Sequence, residues 1–495
     1  MTKQRSSSDR RSHWLCIAYA FPPINRSGTH RTLGFVRHLD ELGWNATVVT
    51  VDPGDEPIDE SLLKRIPAST NVIRTSWTDP IEWVRGLYHV RPNDASSRRS
   101  CSAARRGKRI AVTNAFASPS DHGLREFVSR LLITPDSRVG WIRQGVRAGM
   151  RAVRRHRPDV VYSTSPYMSA HLIALTVSIR VGLPWVADFR DPWRDNPFRK
   201  LGFSVLDRWD AWLERIVLSR AAHVVCNTPT FKQRLCSRLP RVTGKCSTIM
   251  NGFDRELLDG VKPIRTGPPD SFILTHAGQF YGPRSPTVWF DALRHALEHR
   301  SELARKLRFA LIGPSQYKGR DLGELAVMAG VGAQVDVFGP KNHAETLAHL
   351  AGSDALMLAG SAGPDNELQV PNKLFEYLAI RKPILACLPP TSPAVDVLCD
   401  ANAEATICDP ADSTSLAEAM TRLARDRYVN VPGAWNGVET FDRAHRAAEL
   451  AEVFKRVSAG HTLQRTSDAT LPHRRSDAPL QSTVQPGRQW RVGFG

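Results

Sequence analysis

No Cys-x-x-Cys pair occurs in this sequence: its eight cysteines, Cys16, Cys101, Cys226, Cys236, Cys246, Cys387, Cys399 and Cys408, are scattered over 495 residues. No cysteine or histidine spacing resembles a zinc site, so the thiols read as buried, reduced residues of a cytosolic protein. Long apolar runs are missing too. The nearest candidate, residues 171–179, is far too short for a membrane span. The first 13 residues are polar and basic and hold no apolar stretch of signal-peptide length. A cytoplasmic protein is expected, with any membrane contact peripheral, on the inner face. The third shortage is of acid: 49 Asp and Glu stand against 67 Lys and Arg, a formal net charge of +18. Such an excess favours nucleic acid, an anionic membrane surface or phosphorylated small molecules. Without a zinc-finger, basic-zipper or RNA-recognition signature, nucleic acid is the weakest of the three.

What is present is a packed α/β chain. Hydrophobic residues make up 41%, enough for substantial cores, and the length suits two or three domains. An apolar run at 14–20 ends in Phe21-Pro22-Pro23, and a polar loop carrying Gly28 follows. Leu33, Phe35, Val36, Leu39 and Leu42 then recur at helical spacing, Gly43 closes the helix, and 46–51 reads as a buried strand. This is a βαβ unit opening a doubly wound sheet. The pattern weakens from about 76 to 150, where 98–109 is basic without a single acid, and resumes with strands at 160–163, 184–188 and 222–226. A polar segment at 254–269 reads as a linker. A second βα series follows, with strands at 272–277, 308–312, 335–338, 355–358 and 383–387. An amphipathic helix at about 442–458 carries Ala447, Leu450, Val453 and Phe454.

The resulting division is a disordered N-terminus (1–13), an acceptor-side Rossmann-like domain (14–255) with a mobile basic loop at about 95–120, and a linker (256–270). A donor-binding Rossmann-like domain (271–440), a final helix (441–458) packing on the N-terminal domain and a disordered basic tail (459–495) complete it. Ligands in such sheets bind outside the carboxyl ends of the strands, so two of them facing each other form a cleft.

The sharpest motif is Pro371-Asn372-Lys373-Leu374-Phe375-Glu376. Pro371 precedes a helix start, Lys373 falls in the first turn, and the free N–H groups there make an anion site suited to a diphosphate. Glu376 follows one turn later, placed for ribose hydroxyls; the plain alternative is a surface i,i+3 pair. Asp188-Phe189-Arg190-Asp191 ends a strand, where Arg190 would hold an acceptor or phosphate bidentately and Asp191 an acceptor hydroxyl. An internal Arg–Asp bridge, with Trp193 as a core plug, is the alternative. Arg31 reads as a first-turn residue with reach to a diphosphate, His30 as an ordinary neighbour, and His343 as a surface residue near an N-cap.

The segment 370–385 resembles the donor-site helix of the glycosyltransferase group 1 family, which is family 4-like and has the GT-B fold. Phe21-Pro22-Pro23 through Gly28, Asp159-Val160-Val161, residues 184–193, Asn251-Gly252-Phe253-Asp254 and Gly278-Gln279-Phe280 resemble further family segments in order. The resemblance spans about 14–457, fitting poorly at 76–135. It departs in two places: the partner position to Glu376 is Leu368, with Glu367 one residue off, and the family's basic pair is reduced to Gln279 and Arg284.

The resemblance implies two Rossmann-like domains across a cleft and a retaining, hexosyltransferase-type enzyme. That enzyme moves a sugar from a nucleotide-diphosphate donor to an acceptor alcohol such as a glycan or lipid-linked sugar. Catalytic duties would fall on Arg190 and Asp191, and donor binding on Gly28, Arg284, Lys373 and Glu376, with no metal and no cofactor. A GT-B sugar-nucleotide epimerase, and a basic protein binding nucleic acid or anionic membrane, are the alternatives.

Overall fold

The computed structural model describes residues 11–81, 124–196, 199, 202–282, 284–299, 302–360, 368–426 and 434–470. The basic stretch 98–109, Glu367 and the chain beyond 470 lie outside them. Seven strands form the first sheet: β1 (Ser12–Ile17), β2 (Trp44–Val51), β3 (Asn71–Thr75), β4 (Val160–Thr164), β5 (Trp185–Phe189), β6 (His223–Cys226) and β7 (Cys246–Thr248). Every pair is parallel, in the order β3-β2-β1-β4-β5-β6-β7. The order reverses between β1 and β4, which opens a crevice at their carboxyl ends.

The second sheet takes β8 (Phe272–Ala277) and β9 (Leu307–Ile312). After a small antiparallel hairpin, β10 (Gln316–Tyr317) and β11 (Arg320–Asp321), come β12 (Val335–Gly339), β13 (Ala355–Ala359), β14 (Ile384–Cys387) and β15 (Ala405–Cys408). Its parallel order is β12-β9-β8-β13-β14-β15, so the reversal falls between β8 and β13. Both sheets are flanked by helices and their inner strands are fully buried, as the continuous apolar runs require.

Three stretches differ from the sequence reading. Helix Ile142–His156 lies inside the weak region; it exposes Arg143, Arg147, Arg151, Arg154 and Arg155 and buries only Gly145, Val146, Ala148, Gly149 and Ala152. Small residues on the buried side and arginine on the other hide an apolar stripe. Helices Pro393–Asp400 and Ser413–Asp426 bracket β15 in a segment left unassigned. The last helix, Arg443–Thr470, runs past the break expected at 459.

That helix returns to the first sheet. Phe454 lies 5.4 Å from Trp14, 5.3 Å from Trp44 and 6.0 Å from Tyr162, and Ala447, Leu450 and Val453 are buried beside it. The crossing is held at its base. Arg443 donates to Asp254 at 2.8 Å and passes so close over Gly34 that a Cβ there would overlap it. Asp254 also takes Arg65 at 2.6 Å; burial works against its charge, but Arg443, His38 and Arg65 hold its carboxyl far below the usual range. None of the described cysteines is disulfide-bonded, and Cys399, unlike most, is exposed. Among the described residues no helix is long and apolar enough to cross a membrane.

Candidate active site

Two residues expected to face the cleft serve the fold instead. Asp188, the penultimate residue of β5, is fully buried. Arg31 grips it from Nη2 at 2.8 Å and Nε at 2.9 Å, Tyr162 donates to it at 2.6 Å and Thr164 at 2.7 Å. Arg31 donates further to the carbonyls of Ile249 and Met250, at 2.8 and 3.0 Å. Its guanidinium is thereby consumed, and of the two readings of Arg31 the structural one holds: it ties the first helix to β5 and to the chain after β7. Burial opposes the charge on Asp188, and Arg31 more than offsets it, keeping the carboxyl below its ordinary range.

The next residues of the same segment do reach the crevice. Arg190 donates from Nη2 to Ser27 Oγ at 2.7 Å and lies 3.8 Å from Asp191. Asp191 is fixed by its backbone, whose N–H donates to Ser165 Oγ at 3.0 Å. A Cβ on Gly28 would press on Arg190 at 3.0 Å, so glycine there leaves the guanidinium room. Gly28, Arg190, Ser27, Arg26 and Tyr167 line a cavity of about 300 Å³ at the β1/β4 reversal. Its aromatic flank is held by Arg138, whose guanidinium lies over Trp77 and Tyr19, and Tyr167 packs 4.3 Å from Tyr19. Trp193 is buried, its indole donating to Asp210 at 2.9 Å.

The opposite wall is built from the β8/β13 reversal and helix Asn372–Ile380. Pro371 stands at the N-cap without a side-chain cap, so the first N–H groups remain available. Lys373 is half-buried, with Nζ 3.4 Å from His276 Nε2. His276, the penultimate residue of β8, donates from Nδ1 to Met357 O at 3.1 Å, and burial followed by the Lys373 charge pushes it well below its usual range. The ring is therefore neutral, and Nε2 is an acceptor. Lys373 has a like charge near it: burial and then Arg284 bring its ammonium down to about 7, against a smaller opposing pull from Glu376. Arg284 itself lies over the Tyr281 ring, 5.0 Å from its centroid. Gly278, at φ +129°, passes beneath Lys373 where a Cβ would overlap the ammonium.

Glu376 lies one turn along, half-buried, accepting from His343 Nε2 at 3.0 Å. His343 opens helix His343–Ala351 behind an Asn342 N-cap, as expected, but it is not a surface residue. Its ring sits 5.5 Å from that of His30 on the facing domain, and the two line a cavity of about 20 Å³ with Glu376, Asp254 and Arg443. Burial lowers His30 to about 4, with His343 and Arg443 adding to the effect. Burial would lower His343 as well, but its bond to Glu376 raises it; that bond in turn holds Glu376 down against burial. A second link joins the walls, from Thr228 Oγ1 to Leu368 O at 2.9 Å.

The candidate residues thus fall into two groups, Gly28, Arg190 and Asp191 on one wall, Arg284, Lys373 and Glu376 on the other. Sequence reasoning missed His276, and it undervalued His30 and His343. The place of His343 just beyond a strand's carboxyl end was a usable signal, and so was that of His276, penultimate in β8. Among the described residues no group of three or more His, Cys, Asp or Glu could hold a metal ion.

Residues 101–257 match the family model for Glycosyltransferase Family 4. No curated protein sequence matches the chain. Among solved structures, a glycosyltransferase from Rickettsia africae ESF-5 is 13% identical with a TM-score of 0.56, over 91% of this chain and 99% of that one. HepE from Anabaena, solved in complex with UDP and glucose, is 14% identical with a TM-score of 0.54, over 90% and 99%. The trehalose-6-phosphate phosphatase N-terminal domain of Candida albicans is 11% identical with a TM-score of 0.59, over 92% and 99%. Two parallel doubly wound sheets facing across a cleft and these neighbours agree on the two-domain GT-B fold, and residues 101–257 carry the likeness to Glycosyltransferase Family 4.

Proposed function

We propose that this protein transfers a hexosyl group from a nucleoside-diphosphate donor to an acceptor hydroxyl, with retention, in the cytoplasm. The observation that carries this reading is Lys373. It is a half-buried cation at an uncapped helix start, beside a neutral histidine and a second cation, and its own charge is suppressed. Such a cation is stabilised by an incoming anion, and a diphosphate supplies two phosphoryl groups for Lys373, Arg284 and the helix N–H groups. These protein cations meet the charge of the leaving group, so the reading calls for no divalent ion and no cofactor. Support for the donor class comes from HepE, which was solved with UDP and glucose.

Glu376 takes the ribose hydroxyls, oriented by His343. On the facing wall the cavity beside Gly28 and Arg190 receives the acceptor, a glycan or lipid-linked sugar, with Asp191 binding its hydroxyl. Catalysis rests on stabilising the departing diphosphate and on closing the cleft. Binding of UDP and GDP to wild-type and Lys373→Ala protein, measured by calorimetry, tests the assignment. A loss of tenfold to a hundredfold is expected, from roughly 1.5–3 kcal/mol for a charge-assisted bond. Unchanged affinity for both nucleotides would remove the donor site from this helix.

A further inference from the structure

Helix Ser204–Arg220 turns Asp210 and Glu214 inward and its arginines outward. Asp210 accepts from Trp193 at 2.9 Å and from Arg199 at 2.6 Å, and Glu214 accepts from both Nη atoms of Arg238, at 2.6 and 3.0 Å. Both acids are buried with Leu206, Leu213 and Val217. Arg208, Arg215 and Arg220 are exposed. On the same outward arc stand Val205, Trp209 and Trp212, exposed to 65%, 46% and 48%. The two indoles stack on each other, centroids 4.8 Å apart and planes 20° from parallel. The apolar surface continues onto helix Leu124–Leu132, which is joined through Phe127 against Phe203 at 5.3 Å and leaves Val128 and Leu131 exposed. Side chains of this kind left facing water mark a contact surface.

We infer that this face docks on an anionic lipid bilayer. Tryptophan is the side chain best suited to the level of the headgroups, apolar in body with one polar N–H, and outward arginines beside it answer anionic headgroups. Apolar and cationic side chains share the outward surface, and Asp210 and Glu214 are paired with arginines behind it. The net charge of +18 adds the long-range attraction. The position is apt as well. The chain next to these helices carries Arg190, which lines the 300 Å³ cavity, and Arg138, 5.5 Å from the ring of Tyr167, which also lines it. The docked face thus belongs to the first domain, which also holds that cavity.

Co-sedimentation of the full chain with vesicles of phosphatidylcholine alone, or mixed with phosphatidylglycerol, tests the inference without any substrate. Binding to the mixed vesicles only, weakened by salt, is expected. Trp209→Ser with Trp212→Ser should weaken it by at least about tenfold while leaving thermal stability and UDP binding unchanged, since both indoles are half-exposed. As a second measurement, brominated lipid should quench wild-type tryptophan fluorescence, and the Trp209→Phe, Trp212→Phe pair should lose most of that quenching. The inference is overturned if the wild type ignores anionic vesicles, or if both Trp pairs bind and quench as the wild type does. It is equally overturned if light scattering shows a dimer that the same substitutions dissolve, or if they abolish binding of a single-stranded oligonucleotide instead.

Discussion

Two cations, the buried Arg31 and the half-buried Lys373, stand near the same cleft and differ in what surrounds them. Arg31 spends its donors on a bidentate carboxylate and backbone carbonyls, and that carboxylate is satisfied in turn by Tyr162 and Thr164. Lys373 has a neutral imidazole at 3.4 Å, Arg284 as a like-charged neighbour, and a carboxylate one turn away already bonded to His343. Both sit at the mouth of a crevice in a parallel sheet. The first cation is finished by the protein, and the second keeps donors for the proposed diphosphate. Completeness of the local hydrogen bonds, more than burial or position, separates the structural cation from the functional one.

The sharpest way to break this contrast is Arg31→Ala. It leaves Asp188 buried without its counter-ion, and a loss of roughly 3–5 kcal/mol in denaturant unfolding is expected. A loss near zero would mean Arg31 is no more structural than Lys373. Next comes Lys373→Met, which removes a strained charge from a half-buried place. Nucleotide affinity should drop by roughly 1.5–3 kcal/mol while the unfolding midpoint stays or rises. A protein that unfolds on this change would erase the distinction from the other side.

A third test concerns protons. The free protein holds Lys373 near 7, far below its ordinary value, and a bound diphosphate favours the ammonium. Donor binding at pH 8 should therefore take up close to one proton, and affinity should fall as pH rises, by at most about tenfold per unit. Calorimetry in buffers of different ionisation heat measures the uptake, and a value of zero excludes Lys373 as the phosphate ligand. The smallest effect is expected from Arg190→Lys, which sits on the other wall. It should leave equilibrium donor binding as it was, whereas Glu376→Gln lowers it. If Arg190→Lys abolished donor binding and Glu376→Gln spared it, the two walls would be exchanged.

The fold was legible because parallel strands buried on both faces write themselves as apolar runs, each followed by a helix period. β8, at Phe272–Ala277, coincides with its apolar run. Legibility failed where one residue type masked the period. Helix Ile142–His156 packs through glycine and alanine against Ile173 and Val177, so its buried stripe carries little hydrophobicity. At the site, Lys373 and Glu376 were found because a helix start has a sequence signature. Asp188 and Arg190, two residues apart, looked alike in the sequence; only the arrival of Arg31 from 157 positions away decided which was internal. His276 ends an apolar run that also reads as core, and its place at the carboxyl end of β8 was the one cue to a ring facing Lys373.

The return of helix Arg443–Thr470 to the first sheet has a consequence for how the chain is made. The face bearing Trp14, Trp44 and Tyr162 is covered by Phe454, which leaves the ribosome long after β7 is complete. Throughout synthesis of the second domain the first carries an open aromatic surface, the kind of surface on which nascent chains aggregate. The second domain, whose six strands are contiguous in sequence, closes its own core while the first waits. A nonsense mutation anywhere in the second domain therefore harms the first as well, and truncation after β7 leaves the first domain without its cover.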